Sequence, residues 1–248
     1  MGTMSVIPAR IARRWDVTGH DPHRAAALAS EVGLSAVTAG ILLARGIDTP
    51  DAVRRFLAPS LDRAWIEASG VRGLSAAAAR VAEAVRAGER VVVFGDFDLD
   101  GISAAALATL GLRALGATVE AIVPHRFREG YGLGPASLER LAMLSPDLVV
   151  TVDCGISSAR EVAQLLDRGI DVVVTDHHEP GEDVPRGVPV ADPHLAPDGP
   201  PLAGAGVALA LVRETGAILG APDERRDLTG LAVLGAVAGI VPLTGANR

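Results

Sequence analysis

A chain of 248 residues with 49% hydrophobic and 21% charged side chains is long enough for one large globular domain and a smaller appendage. Its formal net charge of −7 argues against a generally basic nucleic-acid coat, although a local positive groove stays compatible with it. No apolar run has the length to cross a bilayer, so no membrane association is expected, and the basic stretch 1–16 lacks the apolar core of a signal peptide. The single cysteine, Cys154, rules out an intramolecular disulfide and fits a reducing cytoplasm. All 23 basic residues are arginine, which reads mostly as compositional bias. Aromatic residues are 3%, among them Trp15, Trp65 and Tyr131, so an extended base-stacking platform is not expected.

In chain order, residues 1 to about 73 show short amphipathic helical patterns and no strand. His23–Val32, Ala36–Ala44 and Pro50–Leu57 are the predicted helices. Gly33 and Gly46 stand in terminating positions, and Thr49 is placed to cap Pro50 and Asp51. From Leu74 the pattern changes to apolar β-branched runs alternating with helices. The predicted strands are Arg90–Phe94, Thr118–Val123, Leu148–Val152 and Asp171–Thr175. Between them lie predicted helices at Ser103–Leu115, Pro135–Leu144 and Ala159–Arg168, with Val207–Leu219 and Leu228–Ala238 closing the chain. The stretch 180–201, rich in Pro, Gly and Asp, reads as a surface loop around a short strand. Strands that are continuously apolar belong to a sheet covered on both faces. The β-α alternation therefore predicts a doubly wound, mainly parallel α/β sheet over 74–248, preceded by a helical region over 1–73.

In such a sheet ligands bind beyond the carboxyl ends of the strands. The first strand runs into Asp96, Asp98 and Asp100, three carboxylates alternating over five residues whose mutual repulsion a bound cation would relieve. Alone, this segment is equally a solvated acidic turn in which Asp100 or Ser103 caps the next helix. The third strand ends at Asp153 and the fourth at Asp176-His177-His178. Adjacent histidines on an extended chain point in different directions, so one is free to ligate a metal while the other contacts substrate. Three strands thus bring carboxylate and imidazole to one sheet edge. Oxygen and nitrogen donors without thiolate suit Mn²⁺ or Mg²⁺ better than a structural zinc. Cys154 falls on the opposite face from Asp153 and reads as packing.

The stretches Asp96-Phe97-Asp98-Leu99-Asp100-Gly101, Val152-Asp153-Cys154-Gly155-Ile156-Ser157 and Asp176-His177-His178 resemble signature motifs of the DHH phosphoesterase family. Within the family the resemblance is to its single-strand-specific 5′→3′ exonuclease branch. It extends to 124–133, 202–208, 241–243 and Asn247-Arg248, and so covers nearly the whole chain. The resemblance implies hydrolysis of a phosphodiester with two ions, usually manganese. It assigns Asp98 and Asp153 to one metal and Asp100, Asp153 and His177 to the other, with Asp153 bridging. Asp96 would ligate or orient water, and His178 would contact the scissile phosphate. Asp176 would fix a histidine tautomer. Arg126, Ser157, Gly204 and Gly206 are the expected substrate contacts. Arg126 and Tyr131 are equally an ordinary ordered loop, and the two glycines equally a helix cap.

Three departures temper the expectation. The family's fourth motif carries a ligating aspartate where this chain has Gly239, so one ion rather than two is a possible outcome. Phe94 stands where some relatives place a histidine. The chain also stops at Arg248, and tight processive digestion is not expected from these residues alone. The implied substrates are single-stranded DNA or short oligonucleotides. The alternatives are a catalytically inactive binding or assembly module with protein partners in repair or replication, and a phosphodiesterase for small oligonucleotides or cyclic dinucleotides.

Overall fold

The computed structural model describes residues 21–221 and 225–248. The basic N-terminal stretch and Trp15 lie outside them. The chain divides into two compact units, residues 1–59 and 60–248.

In the first unit, α1 (Pro22–Val32), α2 (Ala36–Ala44) and α3 (Pro50–Leu57) gather Leu28, Ala29, Ala39, Leu42 and Val53 into a small core. Each helix starts at an oxygen-bearing side chain, Asp21, Ser35 or Thr49, which accepts a backbone N–H of the first turn. Gly33 closes α1 in the left-handed conformation.

The second unit starts earlier than the change of sequence pattern at Leu74. A helix for which the sequence offered no pattern, α4 (Leu61–Ala68), already buries Trp65 and Ala68 in this unit's larger core. Leu74 instead opens α5 (Leu74–Ala87).

There follow β1 (Arg90–Phe94), α6 (Leu99–Ala114), β2 (Thr118–Ile122), α7 (Pro135–Leu144), β3 (Leu148–Val152), α8 (Ala159–Asp167), β4 (Asp171–Thr175) and the short β5 (Val190–Ala191). The chain closes with α9 (Gly204–Leu219) and α10 (Thr229–Ala238).

The five strands are all parallel in the order β2-β1-β3-β4-β5. Successive side chains of a strand alternate between the two faces. Val91, Val93, Val150 and Val173 accordingly join α5, α6 and α9 in one core, while Val92, Phe94, Val149 and Val172 join α7 and α8 in the other. Both faces are dry, which explains uninterrupted valine runs where an open sheet would alternate with polar residues. The expected doubly wound α/β class is the observed one.

Strand order reverses between β1 and β3, since β2 lies on one side of β1 while β3, β4 and β5 follow on the other. That reversal opens a crevice at the carboxyl ends of β1 and β3. Among the described residues no single helix is long and apolar enough to cross a membrane.

Candidate metal centre

The turn after β1 is not the extended segment that the alternating aspartates suggest. Helix α6 begins at Leu99, before the expected Ser103, and neither Asp100 nor Ser103 is its cap. Asp98 is, its Oδ1 accepting the Gly101 N–H at 2.9 Å. The turn is tight because a Cβ on Gly101 would fall 2.6 Å from the Asp96 backbone, so only glycine fits. The three acids therefore diverge. Asp98 is exposed at the helix mouth, while Asp96 and Asp100, from opposite sides of the cap, are each 3% exposed. Asp100 turns inward from the first helical turn, and both its oxygens accept backbone N–H groups at the start of α9, from Ala205 to Oδ1 and Gly204 to Oδ2, each at 2.8 Å. The amino end of a helix favours such a negative charge.

Asp153 follows β3 with φ +60°, a left-handed conformation that aspartate tolerates better than most residues. That bend aims its carboxylate, 2% exposed, along the crevice floor. Its Oδ1 lies 3.0 Å from His177 Nε2, which is also 3.5 Å from Asp100 Oδ2. Burial pushes the Asp153 carboxyl up to about 7, with the charges of Asp100 and Asp98 adding to the effect and His177 opposing it. Burial, backed by the neighbouring Asp98, likewise raises Asp96, whose Oδ1 is buried with no hydrogen-bond partner among the described residues. A bound cation would relieve both effects.

Behind the histidines, Asp176 is fully buried. Its Oδ2 accepts the Ile156 N–H at 2.9 Å, and its Oδ1 accepts the His177 N–H at 2.7 Å and lies 2.7 Å from His178 Nδ1. Burial alone would raise this carboxyl, but the His178 contact and the backbone donors outweigh it and hold it below the usual range. The same pairing raises His178 to about 9, against the opposing effect of burial. The histidine that Asp176 contacts through its ring is thus His178, and the contact favours that ring's charged form. Tyr131 adds its hydroxyl 3.2 Å from the same Nδ1, a contact invisible in the sequence because 47 residues separate the two.

Among the described residues, two triads have ligand atoms within 4.8 Å of one another: Asp96, Asp98 and Asp153, and Asp153, His177 and His178. Asp153 belongs to both. Three carboxylates and two imidazoles fit a hard or borderline divalent ion, and the unpartnered buried oxygen of Asp96 fits the same conclusion. Asp100, expected as a ligand, is in neither triad and stands 3.5 Å from His177 Nε2.

The remaining expected residues divide. Arg126 is exposed, its guanidinium 4.5 Å above the Phe97 ring, and Phe97 packs edge-on to Tyr131 at 6.4 Å, so this loop borders the crevice. Ser157 is exposed in the turn after β3. Gly204 presses against Asp153, while the nearest contact for a Cβ on Gly206 is Leu202 at 3.3 Å. Cys154 is buried in the core on the far face of the sheet, as expected of packing. Gly239 ends α10 with φ −74°, and a Cβ there would lie 3.6 Å from Asp100 Oδ2. A side chain at 239 would therefore point into the site.

A doubly wound parallel sheet with this acid-and-histidine cluster over its strand switch defines a class of α/β metal-site proteins. The chain belongs to the DHH family: the model of the DHH family N-terminal domain matches residues 90–236. It is 43% identical to the single-stranded-DNA-specific exonuclease RecJ of Thermus thermophilus over 72% of this chain and 26% of that protein. The Bacillus subtilis protein of the same name is 33% identical over 95% of this chain and 30% of its own length. The chain thus spans about a third or less of these relatives. The crystal structure of T. thermophilus RecJ in complex with Mn²⁺ superposes with a TM-score of 0.77 at 33% identity, covering 94% of this chain and 33% of that one.

Proposed function

We propose that this chain holds the phosphodiester-hydrolysing centre of a RecJ-like 5′→3′ exonuclease acting on single-stranded DNA or short oligonucleotides with Mn²⁺ or Mg²⁺. The observation that carries the reading is Asp153, a buried carboxylate common to both ligand triads. The relatives are single-stranded-DNA-specific exonucleases, and one of them holds Mn²⁺ in its crystal structure.

Asp96, Asp98 and Asp153 would hold one cation, and Asp153 with His177, joined by Asp100, the other. When bound, such ions polarise a phosphoryl oxygen and lower the pKa of an attacking water. Around them the protein's own groups bind and orient. Where Asp96 does not itself ligate, it would orient that water and accept its proton. His178 Nδ1 is engaged by Asp176 and Tyr131, which leaves Nε2 as a charged donor for a phosphate oxygen. The exposed Arg126 and Ser157 would meet the backbone of the entering strand.

The test is Mn²⁺-dependent release of mononucleotides from the 5′ end of labelled single strands. Absence of turnover at millimolar Mn²⁺ on short substrates would overturn the reading.

One observation favours a second reading, a catalytically silent binding or assembly module. At Gly239 the space that faces Asp100 carries no side chain. The Gly239→Asp variant separates the two: activity appearing in an inert parent supports the silent module, and equal activity in parent and variant removes it.

A further inference from the structure

Residue 204 opens α9 with Ala203 as its N-cap, and its backbone needs no left-handed conformation. Glycine in a helix is disfavoured relative to alanine by about 1 kcal/mol, so conformation gives no reason for it here. Space does. A Cβ at 204 would lie 2.3 Å from Asp153 Oδ1 and 2.6 Å from both Asp153 Cβ and Cγ. Those three atoms are its nearest neighbours, and Asp153 is too deeply buried to swing aside. The N–H of the same residue donates to Asp100 Oδ2 at 2.8 Å.

We infer that Gly204 is a positioning residue of the metal centre, seating Asp153 by the side chain it lacks and anchoring Asp100 by its N–H. The inference rests on the reading of the cluster as a metal site. One residue at the start of α9 thereby sets the separation of two carboxylates delivered by different elements, Asp100 from α6 and Asp153 from the end of β3. Its place is structural rather than substrate-facing, since its N–H is already occupied by Asp100.

The experiment is a double-mutant cycle of Gly204→Ala with Asp153→Gly, read by thermal melting in EDTA and by Mn²⁺ titration of the full chain. Asp153→Gly removes the three atoms nearest to the new methyl and suits the φ of +60°. With Asp153 present, Gly204→Ala is expected to lower the melting temperature by several degrees and to weaken Mn²⁺ binding at least tenfold. With Asp153→Gly in place, it should leave the melting temperature unchanged or raise it. A Gly204→Ala protein that fails to fold alone but folds in the double variant shows the same coupling. An equal loss in both backgrounds, or no loss of stability or Mn²⁺ affinity in either, overturns the inference. If the parent takes up no Mn²⁺, the metal reading falls, while the melting cycle still decides whether Gly204 seats Asp153.

Discussion

Asp153 concentrates costs that the metal-free protein has to carry alone. It is buried, it sits in a left-handed conformation, and Asp98 and Asp100 repel it. Raising a carboxyl from the ordinary value of 3.8 to about 7 means that the folded protein binds a proton more tightly than the unfolded chain. Stability from this group is therefore lost as pH rises from about 4 through 7. Asp153→Asn removes the titration while keeping the shape. In EDTA at pH 8 the variant should be more stable than the parent by roughly 1–2 kcal/mol, the usual scale for relieving a site built for function. At pH 4, where the parent carboxyl is protonated, the gain should vanish. Urea melts at the two pH values measure it, and a gain of equal size at both would refute an electrostatic origin. The same variant should bind Mn²⁺ far more weakly, because the carboxylate common to both triads becomes a neutral amide. His178 follows the same trend for a different reason, because here the charged form is the one its partner favours. Its raised value means that the Asp176 pairing is fully stabilising below about 6.5 and is lost as pH climbs through about 9.

At the scale of elements, the junction of β1 and α6 serves fold and site together. Asp98 caps α6 through Oδ1 while its carboxylate belongs to the acidic triad. Two substitutions separate these duties. Asparagine caps a helix about as well as aspartate, and alanine forfeits about 1 kcal/mol. Asp98→Ala should thus lower the unfolding free energy in EDTA by about that amount and Asp98→Asn by much less, while both weaken Mn²⁺ binding. Equal melting of the two variants would contradict the cap. This junction also shows what the sequence makes legible. The valine runs announced their strands because burial on both faces leaves no polar position in them. The carboxylates at their ends announced an edge because a parallel sheet puts all carboxyl ends together. The path of Asp98 and Asp100 was not legible, since Asp-Leu-Asp reads equally as an alternating strand or as a cap and first turn. The burial of Trp65 in α4 was not legible, since it comes from packing into the second unit's core that nothing local in the sequence announces. Gly204 looked like a phosphate loop or a cap, and only the packing of α9 against the end of β3 gives it a neighbour. Tyr131 and His178 meet through the fold alone, with nothing local in the sequence to pair them.

Across the whole molecule, these local costs make the metal centre a lever on global stability. A ligand that binds only the folded state stabilises it by about 2.7 kcal/mol at a hundredfold excess over its Kd. Here the size of that effect is tied to pH. Ligation requires Asp153 ionised and His177 neutral, yet burial raises Asp153 to about 7 and the Asp153 contact raises His177 above its usual value. Below pH 7, Mn²⁺ has to displace protons from this pair, which weakens its apparent affinity. As pH rises, the metal-free protein loses stability through Asp153 while the cation gains full access to the carboxylate. Both trends act in the same direction. The rise in melting temperature produced by a fixed excess of Mn²⁺ over EDTA-treated protein should therefore grow from pH 5 to pH 8. Calorimetric titrations in buffers of different ionisation enthalpy should show more protons released per Mn²⁺ at pH 6 than at pH 8. A pH-independent melting shift with no proton release would mean that the cation binds away from Asp153 and His177. In Asp153→Asn the pH dependence should largely collapse, which ties the behaviour of the whole fold to the one carboxylate that both triads share.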